Sequence, residues 1–280
     1  MFPFSLDQFI EDILSEDIGT GDHSALSCIP PTAMGKAQLL VKDTGILAGV
    51  EVAQHIFRKV DPNLQITVFL NDGASVKYGD VVLIVAGKEQ SILQAERIVL
   101  NCIQRMSAIA TLTNRFVQAI AGTGARILDT RKTTPGFRYL EKWAVRIGGG
   151  TNHRMGLYDM IMIKDNHHDF CGGITQAIER ANAYIEEKKL AIQIEIEVRN
   201  LAELQEVLNI GRVHRIMFDN FTPQLMRQAV AMVGKRFETE ASGGITLDTV
   251  RSYAETGVDF VSVGALTHSY KSMDLSLKAM

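Results

Sequence analysis

Between Thr130 and Lys164 the chain carries seven basic residues, Arg131, Lys132, Arg138, Lys142, Arg146, Arg154 and Lys164, against two acids, Glu141 and Asp159. The local charge is +5 in a chain of formal net charge −3, so the remaining residues carry −8. A block this short, interleaved with Gly148–Gly150 and His153, suits a pocket for a small polyanion. A nucleic-acid surface would make the whole domain basic. Arginine's planar fork matches a carboxylate with two parallel hydrogen bonds, which a lysine cannot do. His153 beside Arg154 could donate to a carboxylate or titrate near neutrality.

Further along lie groups that suit the opposite task. Glu197 and Asp219 end successive strand candidates, and two carboxylates at one mouth can hold Mg²⁺ together with substrate phosphates. The plainer alternative is that each caps a helix or pairs with a lysine. Alternation along the strand puts Glu195 on the same face as Glu197. Ser242-Gly243-Gly244 and Val263-Gly264-Ala265 follow the last two strand candidates, where barrels build phosphate sites from main-chain N–H groups. Tight β-to-α turns would need the same glycines. No GxGxxG follows a strand and no GxxxxGK[ST] occurs, which excludes dinucleotide-fold and P-loop enzymes. His167, His168, Asp169 and Cys171 lack the spacing of a structural zinc site and read as a polar loop. Arg105 shares a helix face with Asn101. That face is either a solvent stripe or a meeting place for a ligand or another subunit.

The elements that must position these groups fall into two styles. Ser5-Leu6-Asp7-Gln8 predicts a capped helix through Leu14. Short strands follow at 36–41, 64–70 and 80–86, with a helix at 51–60 and a long helix at about 90–121. From Arg126 the pattern turns to strand–helix alternation: RILDT, MIMIK, IQIEIEV, RIMFD, FETEAS and DFVSVG. Asn200 and Thr222-Pro223 predict helix N-termini, and Gly257 a helix end. Nearly continuous apolar strands separated by helices imply a parallel sheet covered on its faces. Nearly every strand candidate ends in a polar residue or glycine, as strands converging on a barrel mouth should. Six strands fall short of a full barrel's eight, so the reading is α/β, with an N-terminal α/β domain at 1–110 and an incomplete barrel at 111–280. The tail 270–280 is available to pack on the first domain.

With 280 residues, 46% of them hydrophobic and 22% charged, the chain has ordinary globular composition. Its apolar runs are too short to span a bilayer, and its first residues lack a basic, then apolar, leader. Three scattered cysteines argue against a disulfide framework and point to a reducing, cytoplasmic setting. Neither a nucleic-acid partner nor a membrane is expected.

Taken together, several strings resemble one family closely. They are EDIGTGD, GILAGVE, ERIVLNCIQRMSAIAT, LDTRKTTPG, EKWAVRIGGGTNHRMGLYDMIMIKDNH, IEIEV, IMFDN, EASGGI and VSVGALTHS. The chain resembles quinolinate phosphoribosyltransferases along essentially its whole length. The resemblance implies an N-terminal α/β-sandwich domain, a C-terminal incomplete TIM-like barrel, and a homodimer with a shared active site and room for higher assembly. It implies phosphoribosyl transfer from phosphoribosyl pyrophosphate to quinolinate with decarboxylation, aided by Mg²⁺. Carried over by residue, it makes Arg105 the arginine given across the dimer, and Arg131, His153, Arg154 and Lys164 the pocket for quinolinate. Lys132 would stand between both substrates, with Glu197 and Asp219 facing ribose and metal. Thr130, Lys132, Ser242, Gly243, Gly244, Val263, Gly264 and Ala265 would hold the phosphates. HHDFC and the residues Trp143, Ile147 and Phe218 depart mildly from the family pattern. Three rival readings are a nicotinate phosphoribosyltransferase-like enzyme, a carrier-type binding module built on 72–87, and a non-enzymatic polyanion-binding protein.

Overall fold

The computed structural model describes residues 4–280. Residues 1–3, part of the stretch in which no leader was found, lie outside the described residues. In chain order the elements begin with α1 (Leu6–Ile18), α2 (His23–Cys28), β1 (Met34–Val41), β2 (Gly45–Ile46), α3 (Val50–Val60), β3 (Gln65–Val68), β4 (Ser75–Val76), β5 (Val81–Lys88) and α4 (Glu89–Ala119). There follow β6 (Arg126–Leu128), α5 (Arg138–Ile147), β7 (Met160–Ile163), α6 (Asp165–Cys171), α7 (Ile174–Lys188), β8 (Gln193–Val198) and α8 (Leu201–Ile210). The chain closes with β9 (Arg215–Asp219), α9 (Pro223–Val233), β10 (Glu238–Ser242), α10 (Val250–Ala254), β11 (Phe260–Ser262), α11 (Ala265–His268) and β12 (Leu275–Ala279).

Two compact units result. The first comprises the described residues up to Asn114, then Pro135–Gly149 and Tyr270–Met280. Its antiparallel sheet runs β12-β1-β5-β3. Leu39 lies opposite Leu277 on one side and Leu83 on the other, and all three are buried. The alternation of β1 thus turns its apolar face inward. On α3 the buried Val52, Ala53, Ile56 and Phe57 recur at helical spacing and form its inward face. Ser5 caps α1 through the Gln8 N–H, as its sequence predicts. The tail supplies β12, whose strand character was not foreseen, and α2 falls on a stretch to which the sequence assigned no element.

The second unit comprises Arg115–Thr134 and Gly150–Ser269. Its six strands are parallel in the order β7-β8-β9-β10-β11-β6. Each successive strand adds beside the last, and β6 joins β11, so the sheet curls as in a (β/α) barrel. No ladder joins β6 to β7. That seam is occupied by the 151–154 segment: Thr151 forms an isolated parallel bridge with Leu128, and its N–H donates to the Ile127 carbonyl at 2.8 Å. This is the incomplete barrel. Register places Glu195 beside Arg215 and Arg215 beside Glu238, with Glu197 and Glu240 flanking Met217 one layer up. Asp219 and Ser242 form the next layer. Asn200 and Thr222 cap α8 and α9 as predicted. Gly257 does not end α10 directly: the helix stops at Ala254 with Glu255 as its cap, and Gly257, at φ +90°, turns the chain two residues later.

Candidate active site

The carboxyl ends of the parallel strands open onto a cavity of about 890 Å³. Of the seven cations in the 130–164 block, four line it: Arg131, Lys132, Arg154 and Lys164. Arg138, Lys142 and Arg146 belong to α5 in the first unit. The +5 block is therefore not one site. Its ends serve the cavity and its middle serves another core.

Arg131 follows β6, and its buried Nε lacks a hydrogen-bond acceptor within the protein. Arg154 ends the seam segment and donates from Nη1 to the Met160 carbonyl at 3.3 Å. Burial, and then the Arg131 charge beside it, depress the Arg154 pKa. Two guanidinium groups lining one cavity repel, and a bound dianion would relieve that repulsion. Lys164 reaches from the end of β7 to Glu197, with Nζ 3.2 Å from Oε2. His153 is buried and lines the cavity floor. Its Nε2 lies 2.9 Å from Glu195 and 3.4 Å from Glu240, and its Nδ1 lies 2.6 Å from the Arg154 N–H.

Glu197 and Asp219 sit on the next two strands, as their sequence positions require. Burial raises the Glu197 pKa; Lys164 opposes that, and nearby Asp219 adds to it. A pair of carboxylates that repel is a donor set fitting a hard divalent cation. Asp219 is also oriented: its Oδ2 accepts from Asn220 Nδ2 at 2.7 Å.

The phosphate side is built from main chain. Gly243 stands at φ +103°, and a Cβ there would lie 2.2 Å from Asn220 Oδ1 and 2.9 Å from its backbone nitrogen. Only glycine meets both demands. Gly243→Ala should therefore lower stability by about 1–3 kcal/mol and raise the KM for the phosphate-bearing substrate more than that for the acceptor. Thermal unfolding and initial-rate kinetics check both. Gly264 approaches Lys132, whose Cδ would be 3.1 Å from an added Cβ, and Thr267 Oγ1 donates to the Lys132 carbonyl at 2.8 Å. The Lys132 N–H in turn donates to Thr130 Oγ1 at 3.0 Å. Thr130 and Ala265 also line the cavity. Neither glycine turn opens straight into a long helix: α10 begins only at Val250, and α11 has four residues. Val263 does not reach the cavity. Its side chain is buried, while its N–H binds the Leu128 carbonyl.

Three groups escaped the sequence reading. Asp129, fully buried, accepts from the His153 N–H at 2.8 Å and from Asn152 Nδ2, which anchors the seam segment. Glu240 lies below Ser242, and Arg215 pairs with Glu238 at 2.9 Å and Glu240 at 3.3 Å. Strand alternation put these charges on the barrel's inner face, yet a charged strand face ordinarily signals solvent. Arg105 belongs to the first unit. There it pairs with buried Glu141, Nε lying 3.0 Å from Oε1, between the rings of Phe137 and Tyr270. It is not among the residues lining the cavity.

An incomplete parallel barrel with paired arginines, an acid pair and two glycine turns around one cavity defines a class of enzyme that joins an anionic acceptor to a phosphate-bearing donor. Family models described as the N-terminal and C-terminal domains of quinolinate phosphoribosyl transferase match residues 21–107 and 109–278. Quinolinate phosphoribosyltransferase [decarboxylating] 1b of Nicotiana tabacum is 46% identical over 98% of this chain and 82% of its own length. The probable nicotinate-nucleotide pyrophosphorylase [carboxylating] of Bacillus subtilis is 41% identical over 97% and 92%. The crystal structure of NadC from Streptococcus pyogenes superposes with a TM-score of 0.93 at 37% identity, covering 100% of this chain and 99% of that one. The chain belongs to the quinolinate phosphoribosyltransferase family.

Proposed function

We propose that the protein transfers the phosphoribosyl group of phosphoribosyl pyrophosphate to the ring nitrogen of quinolinate and releases pyrophosphate and CO₂, leaving nicotinate mononucleotide. The observation that carries this reading is the division of one cavity. Arg131, Arg154 and Lys164 gather cations for a dicarboxylate, while Glu197, Asp219 and the two glycine turns face a phosphorylated sugar. Arg131 and Arg154 orient the ring carboxylates. Lys132, with its main chain pinned by Thr267 and Thr130, stands between the two substrates. As the bond from ribose C1 to pyrophosphate lengthens, positive charge grows on the sugar, and Glu197 and Asp219 favour it electrostatically. The ring nitrogen attacks C1 as pyrophosphate departs; the 2-carboxylate then leaves as CO₂, its bonding pair stays on C2 beside the quaternised nitrogen, and a proton from water takes its place there. Holding both substrates in one cavity turns this into a reaction of neighbours. Glu197 and Asp219 would hold Mg²⁺, which when bound neutralises pyrophosphate oxygens.

Site sharing within a homodimer belongs to the same proposal, with Arg105 given by one chain to the other's cavity. So does a cytoplasmic setting; no helix among the described residues is long and apolar enough to cross a membrane. The test is turnover with phosphoribosyl pyrophosphate, Mg²⁺ and either quinolinate or nicotinate. Equimolar CO₂ and pyrophosphate from quinolinate alone are expected. Turnover of nicotinate without CO₂ would establish the nicotinate-type alternative instead.

A further inference from the structure

Beneath the cavity the barrel encloses a charged ladder that the transfer chemistry leaves unexplained. Glu195 and Glu240 are fully buried, on β8 and β10, directly under a pocket that must attract anions. Their carboxylates converge on His153 Nε2, at 2.9 Å and 3.4 Å. Burial opposes a second proton on the ring, and the carboxylates outweigh it, drawing the pKa up to about 9. Against this, the Arg154 N–H points at Nδ1 from 2.6 Å, and two donors do not stand that close. That contact sets the tautomer. It leaves the ring one proton, on Nε2, and makes Nδ1 an acceptor. Nδ1 is then taken by the main chain and Nε2 faces the two carboxylates, so neither nitrogen is turned to grip a substrate carboxylate.

We infer that His153 serves the dicarboxylate pocket indirectly, and that Glu195 and Glu240 are positioning residues acting through His153 on Arg154. The chain of contacts is continuous. Glu195 and Glu240 fix the ring; the ring's Nδ1 fixes the Arg154 main chain; the Arg154 guanidinium is then aimed from a segment that has no strand ladder of its own. Asp129 holds the same segment from the β6 side through the His153 N–H. Without a strand between β6 and β7, these side-chain bonds replace the ladder that would otherwise set Arg154. The same three groups could gather a metal ion, since their ligand atoms lie within 4.8 Å of one another. Arg215, 3.3 Å from Glu240, already supplies positive charge there, and the Nε2 proton occupies the atom a metal would need.

This rests on the proposed function, and its test separates the two. Quinolinate affinity is measured by calorimetry, without turnover, for the wild type, Glu195→Ala, Arg154→Ala and the double variant. Glu195→Ala alone should weaken quinolinate about tenfold or more, as loss of an outer-shell partner does. In the Arg154→Ala background it should cost less than about twofold, because both changes remove one coupled unit. Glu195→Gln, whose amide oxygen still accepts the Nε2 proton, should return affinity to within about threefold of wild type. Phosphoribosyl pyrophosphate affinity, measured alongside, should change little and reports an intact barrel. Additive losses in the double variant overturn the inference, because Glu195 would then act independently of Arg154. If Glu195→Ala does not fold, the same cycle run with Glu195→Gln and His153→Asn decides. Asn keeps an acceptor for the Arg154 N–H, so it should retain quinolinate affinity; a loss equal to that of His153→Ala overturns the inference. A wild type that binds no quinolinate would defeat the proposed function instead.

Discussion

Arg131→Ala and Arg154→Ala are each expected to lower kcat/KM for quinolinate by about 100-fold or more, the scale of removing a charged hydrogen-bonding partner from a partly buried pair. The KM for phosphoribosyl pyrophosphate should move little. The apo protein should tolerate the changes unusually well. Arg154 is depressed by burial and by Arg131, and the buried Arg131 Nε has no acceptor in the protein. Glu195 and Asp159 offset the resulting repulsion only in part, and a bound dianion would offset more of it. Thermal unfolding without ligand should therefore stay within about 1 kcal/mol of wild type, in keeping with surface-like substitutions. Added quinolinate should stabilise wild type and leave the variants unmoved. Arg154→Lys separates charge from geometry: it keeps the cation and loses the fork, and should recover only part of the loss. A variant that lost stability and activity in step, or raised both KM values equally, would show that these arginines hold the barrel and not the acceptor.

Much of this arrangement could be read from strand periodicity. QIEIEV places Glu195 and Glu197 on one face, and RIMFD carries Asp219 at its end; the structure puts both Glu197 and Asp219 at the cavity. Caps at Ser5, Asn200 and Thr222 depend on local chemistry alone and were equally legible. What escaped depends on partners far along the chain. FETEAS has the right alternation for an inward Glu240, but only the positions of His153 and Arg215 show how that charge can be buried. The 135–149 segment reads as part of the basic block because charge is counted along the sequence; it packs with the first unit because α5 buries Leu140, Ala144 and Val145. The seam segment has no periodicity at all. Thr151 to Arg154 is held by bonds to Ile127, Asp129 and the barrel interior, none of which a local pattern announces. Tail residues 275–279 form a strand only because β1 offers an edge.

The second large effect concerns Arg105. In its own unit its guanidinium is paired with buried Glu141 and lies 5.0 Å and 4.8 Å from the ring centres of Phe137 and Tyr270. A guanidinium held against aromatic rings is fixed in direction as well as place, which the proposed delivery to a neighbouring chain would require. Arg105→Gln is preferable to alanine, because it keeps a donor toward Glu141 and so lessens the cost of removing the cation from a buried pair. Alone, Arg105→Gln should reduce turnover of quinolinate about 100-fold, as should Lys164→Ala, each losing one charged contact to the acceptor. When the two inactive proteins are unfolded, mixed in equal amounts and refolded, half of the dimers should contain one chain of each kind. Every mixed dimer then has one site carrying both defects and one carrying neither. Activity should return to about a quarter of wild type, since a two-fold dimer exchanges the same residues in both directions. Omitting either partner from the mixture should leave the activity at the level of the single variants. No recovery, in mixtures shown by mass to contain mixed dimers, would mean that Arg105 does not act across the dimer.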